Sequence, residues 1–298
     1  MPPGAAWARS QAAVAAACGL LAVALWMPPL MLQRPTVDYL VAFDITQSMD
    51  VEDMPAAPLP RSRLAAARDA MRETLRRLPC GSRLGWAVFA DYRVMPLTVP
   101  VEVCSHYDEL LGALDLIDGR MRWANASNVG KGVSWAVRSA AAIGPHTHVV
   151  FFSDGQESPP LREGERPPLQ GITPGEVRGW VVGVGGELPA RIPRTDRDGH
   201  PAGYWAAEDV VQRRSPAGGG GSHEHLSELR EPHLQALAKM MGLGYQRLTT
   251  PQALAAAMQS PELAEDQPVP TDLRGVPALL ALLLLAWRFR YWPARGRA

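Results

Sequence analysis

Val37-Asp38-Tyr39-Leu40-Val41-Ala42-Phe43-Asp44-Ile45-Thr46-Gln47-Ser48 decides the fold of this chain. An almost unbroken apolar run of strand length reads as a β-strand buried on both faces, the pattern of a parallel sheet. It ends abruptly in side chains that carry oxygen. Two later segments repeat that ending. Val149-Val150-Phe151-Phe152 runs into Ser153-Asp154-Gly155, and Ser127-Asn128-Val129-Gly130 opens a helix-like stretch.

Helical and strand periods alternate along the chain. Ser62–Leu78 places Leu64, Ala67, Met71, Leu75 and Leu78 on one face. Ser105–Ile117 and Val129–Ile143 read as helices, the second with Val133, Trp135, Ala136 and Ala140 inward. His148–Asp154 and Gly179–Gly185 read as buried strands. Leu234–Met241 is helical, Gly244–Leu248 an edge strand and Pro251–Met258 a closing helix. This alternation predicts an α/β fold: a Rossmann-like, doubly wound, mostly parallel sheet. Leu84–Ala90 and Val94–Val99 add one antiparallel edge hairpin around Asp91-Tyr92-Arg93. Ligands of such sheets bind beyond the carboxyl ends of the strands. Asp44 and Asp154 sit at such ends, and Ser127 precedes a helix that reaches the same rim. Two carboxylates and three hydroxyls (Asp44, Thr46, Ser48, Ser127, Asp154) are thus expected together. Hard oxygen ligands of this kind suit a small divalent cation such as Mg²⁺ or Mn²⁺, with Ca²⁺ the less expected occupant.

The 298 residues carry 30 Lys+Arg and 30 Asp+Glu, a balance that gives no case for nucleic-acid binding. Gln11–Leu32 is uncharged and apolar between Arg9 and Arg34, long enough for a transmembrane helix after a short tail (1–10). A cleaved signal peptide is the competing reading, but Trp26-Met27-Pro28-Pro29-Leu30 offers no small-x-small site. A second apolar segment, Gly275–Trp287, is expected to span within 273–292, with a buried or interfacial helix as its alternative. Arg288, Arg290, Arg295 and Arg297 after it, with residues 293–298 as a basic tail, place the C-terminus in the cytoplasm. The domain between the spans is then expected in the periplasm, tethered by a linker at 259–272.

Cys80 and Cys104 are centred on Tyr92, the middle of the hairpin turn, so they are expected to face each other at its open end. A disulfide there fits an oxidising compartment; two unrelated buried thiols are the alternative. Ser158–Pro174 reads as a loop. Residues 187–232 look inserted, with a hairpin at Ile192–Trp205 turning at Asp196-Arg197-Asp198-Gly199 and a flexible run at Gly218–Ser222.

Asp-x-Thr-x-Ser-Met, Ser-Asn-x-Gly and Ser-Asp-Gly, in this order, resemble a von Willebrand factor A-type (vWA) domain over residues 36–258. That family carries a metal-ion-dependent adhesion site (MIDAS). The resemblance implies that Thr46 and Ser48 touch the cation directly, with Ser127 standing where the family usually has Thr. Asp44 and Asp154 would bind through water or orient the hydroxyls, and a sixth position would await a partner's carboxylate. Thr46 stands where Ser is commoner; both departures keep a hydroxyl. The flanking apolar segments and the string Thr46–Met54 look like the bacterial inner-membrane proteins of the Bat and MxaL types, which accompany MoxR-type AAA+ ATPases. This implies a non-enzymatic module accessory to assembly of a periplasmic enzyme complex, such as methanol dehydrogenase, with partners among other Bat-type proteins and a MoxR-type ATPase.

Two rivals remain. A haloacid-dehalogenase-type phosphotransferase would use Asp44 as nucleophile, but Gly155-Gln156-Glu157-Ser158-Pro159 lacks its second acidic cluster. A metal-free scaffold would keep the fold without the ion. Gly130-Lys131-Gly132 and Gly183-Val184-Gly185-Gly186 lack nucleotide-loop spacing and are read as packing glycines. His223 and His225 are read as solvated rather than as zinc ligands.

Overall fold

The computed structural model describes residues 3–56, 58–162, 172–196, 199–213 and 223–290. The chain divides into two compact units, Pro35–Glu265 and the paired ends Met1–Arg34 with Asp266–Ala298.

In the terminal unit, α1 (Pro3–Trp26) and β1 (Leu30–Thr36) come from the N-terminal side. The expected helix at 11–32 therefore stops at Trp26. Pro28-Pro29 cannot continue it, and the following residues turn into a strand. That strand pairs with Glu265–Thr271, so the stretch expected as a plain linker, 259–272, is half strand. Within the described residues the final helix covers Gly275–Arg290, 16 residues, about 24 Å at the α-helical rise against a ~30 Å hydrocarbon core. Among the described residues no helix is long and apolar enough to cross a membrane, which corrects both expected spans. Ala13, Ala17, Ala24 and Ala281 are buried, while Leu25, Trp26, Leu279, Leu282, Leu283, Trp287 and Phe289 are exposed. The expected basic tail, 293–298, lies outside the described residues.

The larger unit holds the sheet. Its first strand is β2 (Asp38–Asp44), followed by α2 (Arg63–Leu75) and β3 (Arg83–Ala90). Next come β4 (Arg93–Pro96), β5 (Val101–Glu102), α3 (Tyr107–Leu116), α4 (Val129–Ile143) and β6 (Thr147–Ser153). Then β7 (Gly179–Gly183) leads into the insertion, with β8 (Ala190–Arg191), β9 (Pro193–Thr195), β10 (Pro201–Tyr204) and β11 (Leu226–Ser227). The chain closes through α5 (Glu231–Met241), β12 (Gly244–Arg247) and α6 (Pro251–Met258), then β13 (Glu265–Thr271) and α7 (Gly275–Arg290). The seven-stranded sheet runs β12-β7-β6-β2-β3-β4, with β5 also on β3. Neighbours from β12 to β3 are parallel, and only β4 and β5 run against β3.

Side chains alternate across this sheet, and both faces are apolar. Tyr39, Val41 and Phe43 with Trp86, Val88 and Phe152 pack on α2, α3 and α6. Leu40, Ala42, Phe89, Val149 and Phe151 pack on α4 and α5. Both layers follow from the period-two rule in strands covered on two sides. Gly132 lets α4 approach, since a Cβ there would lie 2.4 Å from the Phe89 ring. Trp135, expected inward on α4, is instead exposed and stacks under Arg138, and Val137 takes the core position.

The edge hairpin is less regular than expected. Ala90 faces Arg93 and Ala87 faces Pro96, but Arg83 faces Glu102, so the returning strand gains two residues on the way. Cys80 and Cys104 nevertheless meet at the open end in a disulfide, Cα atoms 5.3 Å apart. In the insertion, β9 and β10 form the expected hairpin; Arg197 and Asp198 of its turn, and the glycine run 218–222, lie outside the described residues.

Candidate functional site

The three motifs converge on the carboxyl rim of β2 and β6. Asp44 ends β2, fully buried. Thr46 donates to its Oδ1 from the backbone N–H at 2.9 Å and from the hydroxyl at 2.7 Å. Ser153, the last residue of β6, donates to Oδ2 at 2.7 Å. Both carboxylate oxygens are thereby fixed. Ser48 Oγ lies 3.3 Å from Thr46 Oγ1. Because the Thr46 proton is committed to Asp44, Ser48 can donate to Thr46, leaving lone pairs on both hydroxyls. Burial first, and then the nearby Asp154 charge, push the Asp44 carboxyl upward; the Thr46 and Ser153 hydrogen bonds oppose this.

Ser127 arrives from the loop before α4. Its backbone exchanges two hydrogen bonds with Ser158, each 2.7 Å. Its side chain is buried, and its Oγ has no hydrogen-bond partner among the described residues. Glu157 anchors the same helix start, accepting from the N–H groups of Val129 at 3.0 Å and Gly130 at 3.1 Å, as an anion at a helix N-terminus should. Thr46, Ser48 and Ser127 all line one cavity of about 320 Å³. Asp44 and Asp154 stand behind that wall. The five expected residues therefore share one rim, with three hydroxyls forward and two carboxylates behind.

The donor set fits a divalent cation. An orphaned buried hydroxyl oxygen costs free energy unless something pairs with it, and Ser127 Oγ is such an atom beside two other hydroxyls. Thr46, Ser48 and Ser127 would hold the ion, with Asp44 orienting them.

Asp154 is more tightly committed than expected. Its Oδ2 accepts from Arg63 Nη1 at 2.6 Å and from Ser227 Oγ at 2.8 Å, and its Oδ1 from Gln156 N at 3.0 Å. Arg63 is fully buried. It also donates to Asp53 Oδ2 at 2.6 Å, to the Ser227 carbonyl at 3.1 Å and to the Ser48 carbonyl at 3.3 Å. Gly185, with φ +142°, makes room: a Cβ there would lie 2.9 Å from Arg63 Nε. Gly186 N donates to Asp53 Oδ2 at 2.9 Å. The glycine pair thus has a packing role, and Arg63, Asp53 and Ser227 form a polar layer that the motif spacing did not reveal.

The insertion sits over the same rim. Gln47, inside the first motif, donates to Thr195 Oγ1 at 3.0 Å and accepts from the Trp205 indole. Arg122 donates to the Ile45 carbonyl at 2.7 Å and to Thr195 Oγ1 at 2.9 Å. A second cavity, about 690 Å³, opens beside the first and shares Gln47 and Trp205 with it.

This mostly parallel sheet, with its three loops on one rim, fits a vWA-type fold. Comparison with known protein families finds no match. An aerotolerance-related membrane protein from Bacteroides fragilis NCTC 9343 has a similar structure, with TM-score 0.51 and 20% identity over 76% of this chain and 98% of that one. A von Willebrand factor type A protein from Catenulispora acidiphila aligns at TM-score 0.45 and 11% identity, over 78% of this chain and 49% of that one. In sequence, a UPF0353 protein of Mycolicibacterium paratuberculosis is 28% identical over 130 residues, 41% of this chain and 35% of the relative. Another, from Mycobacterium sp. (strain KMS), is 28% identical over 152 residues, 47% and 42% of the two chains. The chain thus matches less than half the length of these relatives.

Proposed function

We propose that this protein is a divalent-metal-dependent protein-interaction module rather than an enzyme. The observation that carries the reading is the convergence of Thr46, Ser48 and the Ser127 hydroxyl, unpartnered among the described residues, on one cavity, with Asp44 fixed behind them. Mg²⁺ or Mn²⁺ would be held there by few direct charges, leaving it electrophilic toward a partner's carboxylate. Hydrogen bonds to both Asp44 oxygens suit an orienting carboxylate better than the nucleophile of a phosphotransferase.

The exposed Leu, Trp and Phe side chains of α1 and α7 support attachment to a membrane surface. A bacterial inner membrane, with the sheet on its periplasmic side, fits the Cys80–Cys104 disulfide. The structural likeness to a membrane protein described as aerotolerance-related, and the Thr46–Met54 string, support a Bat-like accessory role. In that role the module would serve assembly or maturation of a periplasmic complex beside a MoxR-type ATPase.

The test is Mn²⁺ binding by the full chain in detergent, followed by electron paramagnetic resonance. Saturable binding that Asp44→Ala abolishes supports the reading. A parent chain that leaves Mn²⁺ free would return the bet to a metal-free scaffold.

A further inference from the structure

The cavity above the three hydroxyls has a second wall, and it belongs to the insertion. Val210, Val211, Asp209 and Glu224 line the cavity together with Thr46, Ser48 and Ser127. Two carboxylates of the chain itself therefore border the place where a partner's carboxylate is expected. They are not equivalent. Asp209 accepts from Ala206 N at 3.2 Å and lies 3.7 Å from Arg194. Glu224 is tied instead to the site. Gln156 Nε2 donates to Glu224 Oε2 at 3.0 Å, while the Gln156 backbone N–H donates to Asp154. Gln156 thus links the third motif to Glu224, whose side chain is only 9% exposed.

A second observation points to a ligand between these groups. Ser127 Oγ and Gln156 Oε1 are both buried, both belong to residues lining this cavity, and neither has a hydrogen-bond partner among the described residues. Together with the Glu224 carboxylate they give the cavity three hard oxygens from three separate chain segments. Buried oxygens without donors are what a hydrated cation satisfies.

We propose that Glu224, seated by Gln156, is an internal ligand of the cation site, filling directly or through water the position an acidic partner must take. The inference rests on the metal-dependent reading above and adds its regulation. A partner carboxylate then competes with Glu224 rather than meeting an open ion. Arg213 and Arg230, each 3.9 Å from Glu224, already pair with its carboxylate and would keep it when a partner displaces it from the ion. Val210 and Val211 add apolar surface to the cavity wall.

The test uses the full chain in detergent with Mn²⁺ alone, reading affinity by electron paramagnetic resonance and bound water by proton relaxation. Glu224→Gln is expected to weaken Mn²⁺ on the order of tenfold and to raise relaxation per bound ion, because water replaces the carboxylate. Gln156→Leu, which removes the seat, should act the same way and serves if Glu224→Gln fails to fold. Glu109→Gln, an exposed carboxylate of α3 outside this cavity, should change neither readout. Unchanged affinity and relaxation in both Glu224→Gln and Gln156→Leu, with Asp44→Ala still losing the ion, would overturn the internal ligand and leave the metal-dependent module standing. Failure of the parent to bind Mn²⁺ would overturn both.

Discussion

Arg63 and Asp154 form a fully buried ion pair, Nη1 to Oδ2 at 2.6 Å, behind the candidate cation site. The pair joins four segments: the first motif through the Ser48 carbonyl, the following loop through Asp53, the third motif, and the insertion through Ser227. Removing one member of such a pair strands a charge in a dry interior and costs about 3–5 kcal/mol. Arg63→Met should therefore lower the midpoint of urea unfolding strongly, against a total stability of roughly 5–15 kcal/mol. Adding Asp154→Leu should recover a good part of that loss. If the double variant is no more stable than the single, the pair is not the element that holds this layer.

Metal removal gives a second prediction. A cation that binds only the folded state raises its stability by RT ln(1 + [L]/Kd), about 2.7 kcal/mol at a hundredfold excess over Kd. The parent's thermal midpoint should rise with Mg²⁺ or Mn²⁺ and fall back on chelation. Ser127→Ala removes an oxygen with no hydrogen-bond partner among the described residues, so without metal it should melt at or near the parent's midpoint while losing most of the metal-induced rise. A full rise in Ser127→Ala would place the ion elsewhere.

Much of this arrangement is legible in the residues alone, and the gaps have physical causes. The strand ending at Asp44 and the helix Val129–Ile143 announce themselves by unbroken apolar character and by 3.6-residue spacing. The three motifs then fix the rim. Arg63 is not legible. It belongs to a helix carrying Arg68 and Arg72 as well, and only tertiary contact makes it the buried one. Gln156 and Glu224 are likewise ordinary polar residues until the insertion folds over the rim. Strand Glu265–Thr271 was hidden because its two prolines and polar residues show no alternation; pairing with Leu30–Thr36 creates it. The apolar run 11–32 does not stay helical to its end, because Pro28-Pro29 cannot continue the helix, which stops at Trp26.

The disulfide at the sheet edge should act on stability and not on the site. Cys80 and Cys104 close a loop of sequence separation 24, for which chain entropy gives roughly 3 kcal/mol. The double variant Cys80→Ser/Cys104→Ser should unfold at lower denaturant by about that amount. Its metal-induced rise in thermal midpoint should match the parent's, because the pair lies at the open end of the hairpin, away from the rim. Loss of that rise would show that the edge strands help to shape the site.

His148 supplies the pH dependence. Its ring is buried beside Tyr39, with Nε2 2.9 Å from the Leu263 carbonyl. Burial is the main cause that lowers its pKa from 6.5; Arg178 and His146 push the same way, while the Leu263 bond and Glu265 oppose. The folded state therefore prefers the neutral ring. Above pH 6.5 both states are neutral and its contribution to stability is fully present; as pH falls below 6.5 toward the folded-state value, the unfolded chain takes up a proton first and that contribution is lost. Unfolding free energy of the parent should fall over this window with a component that His148→Gln lacks, although both variants keep a donor to Leu263. Parallel pH profiles for the two would mean that His148 titrates alike in the folded and unfolded chains.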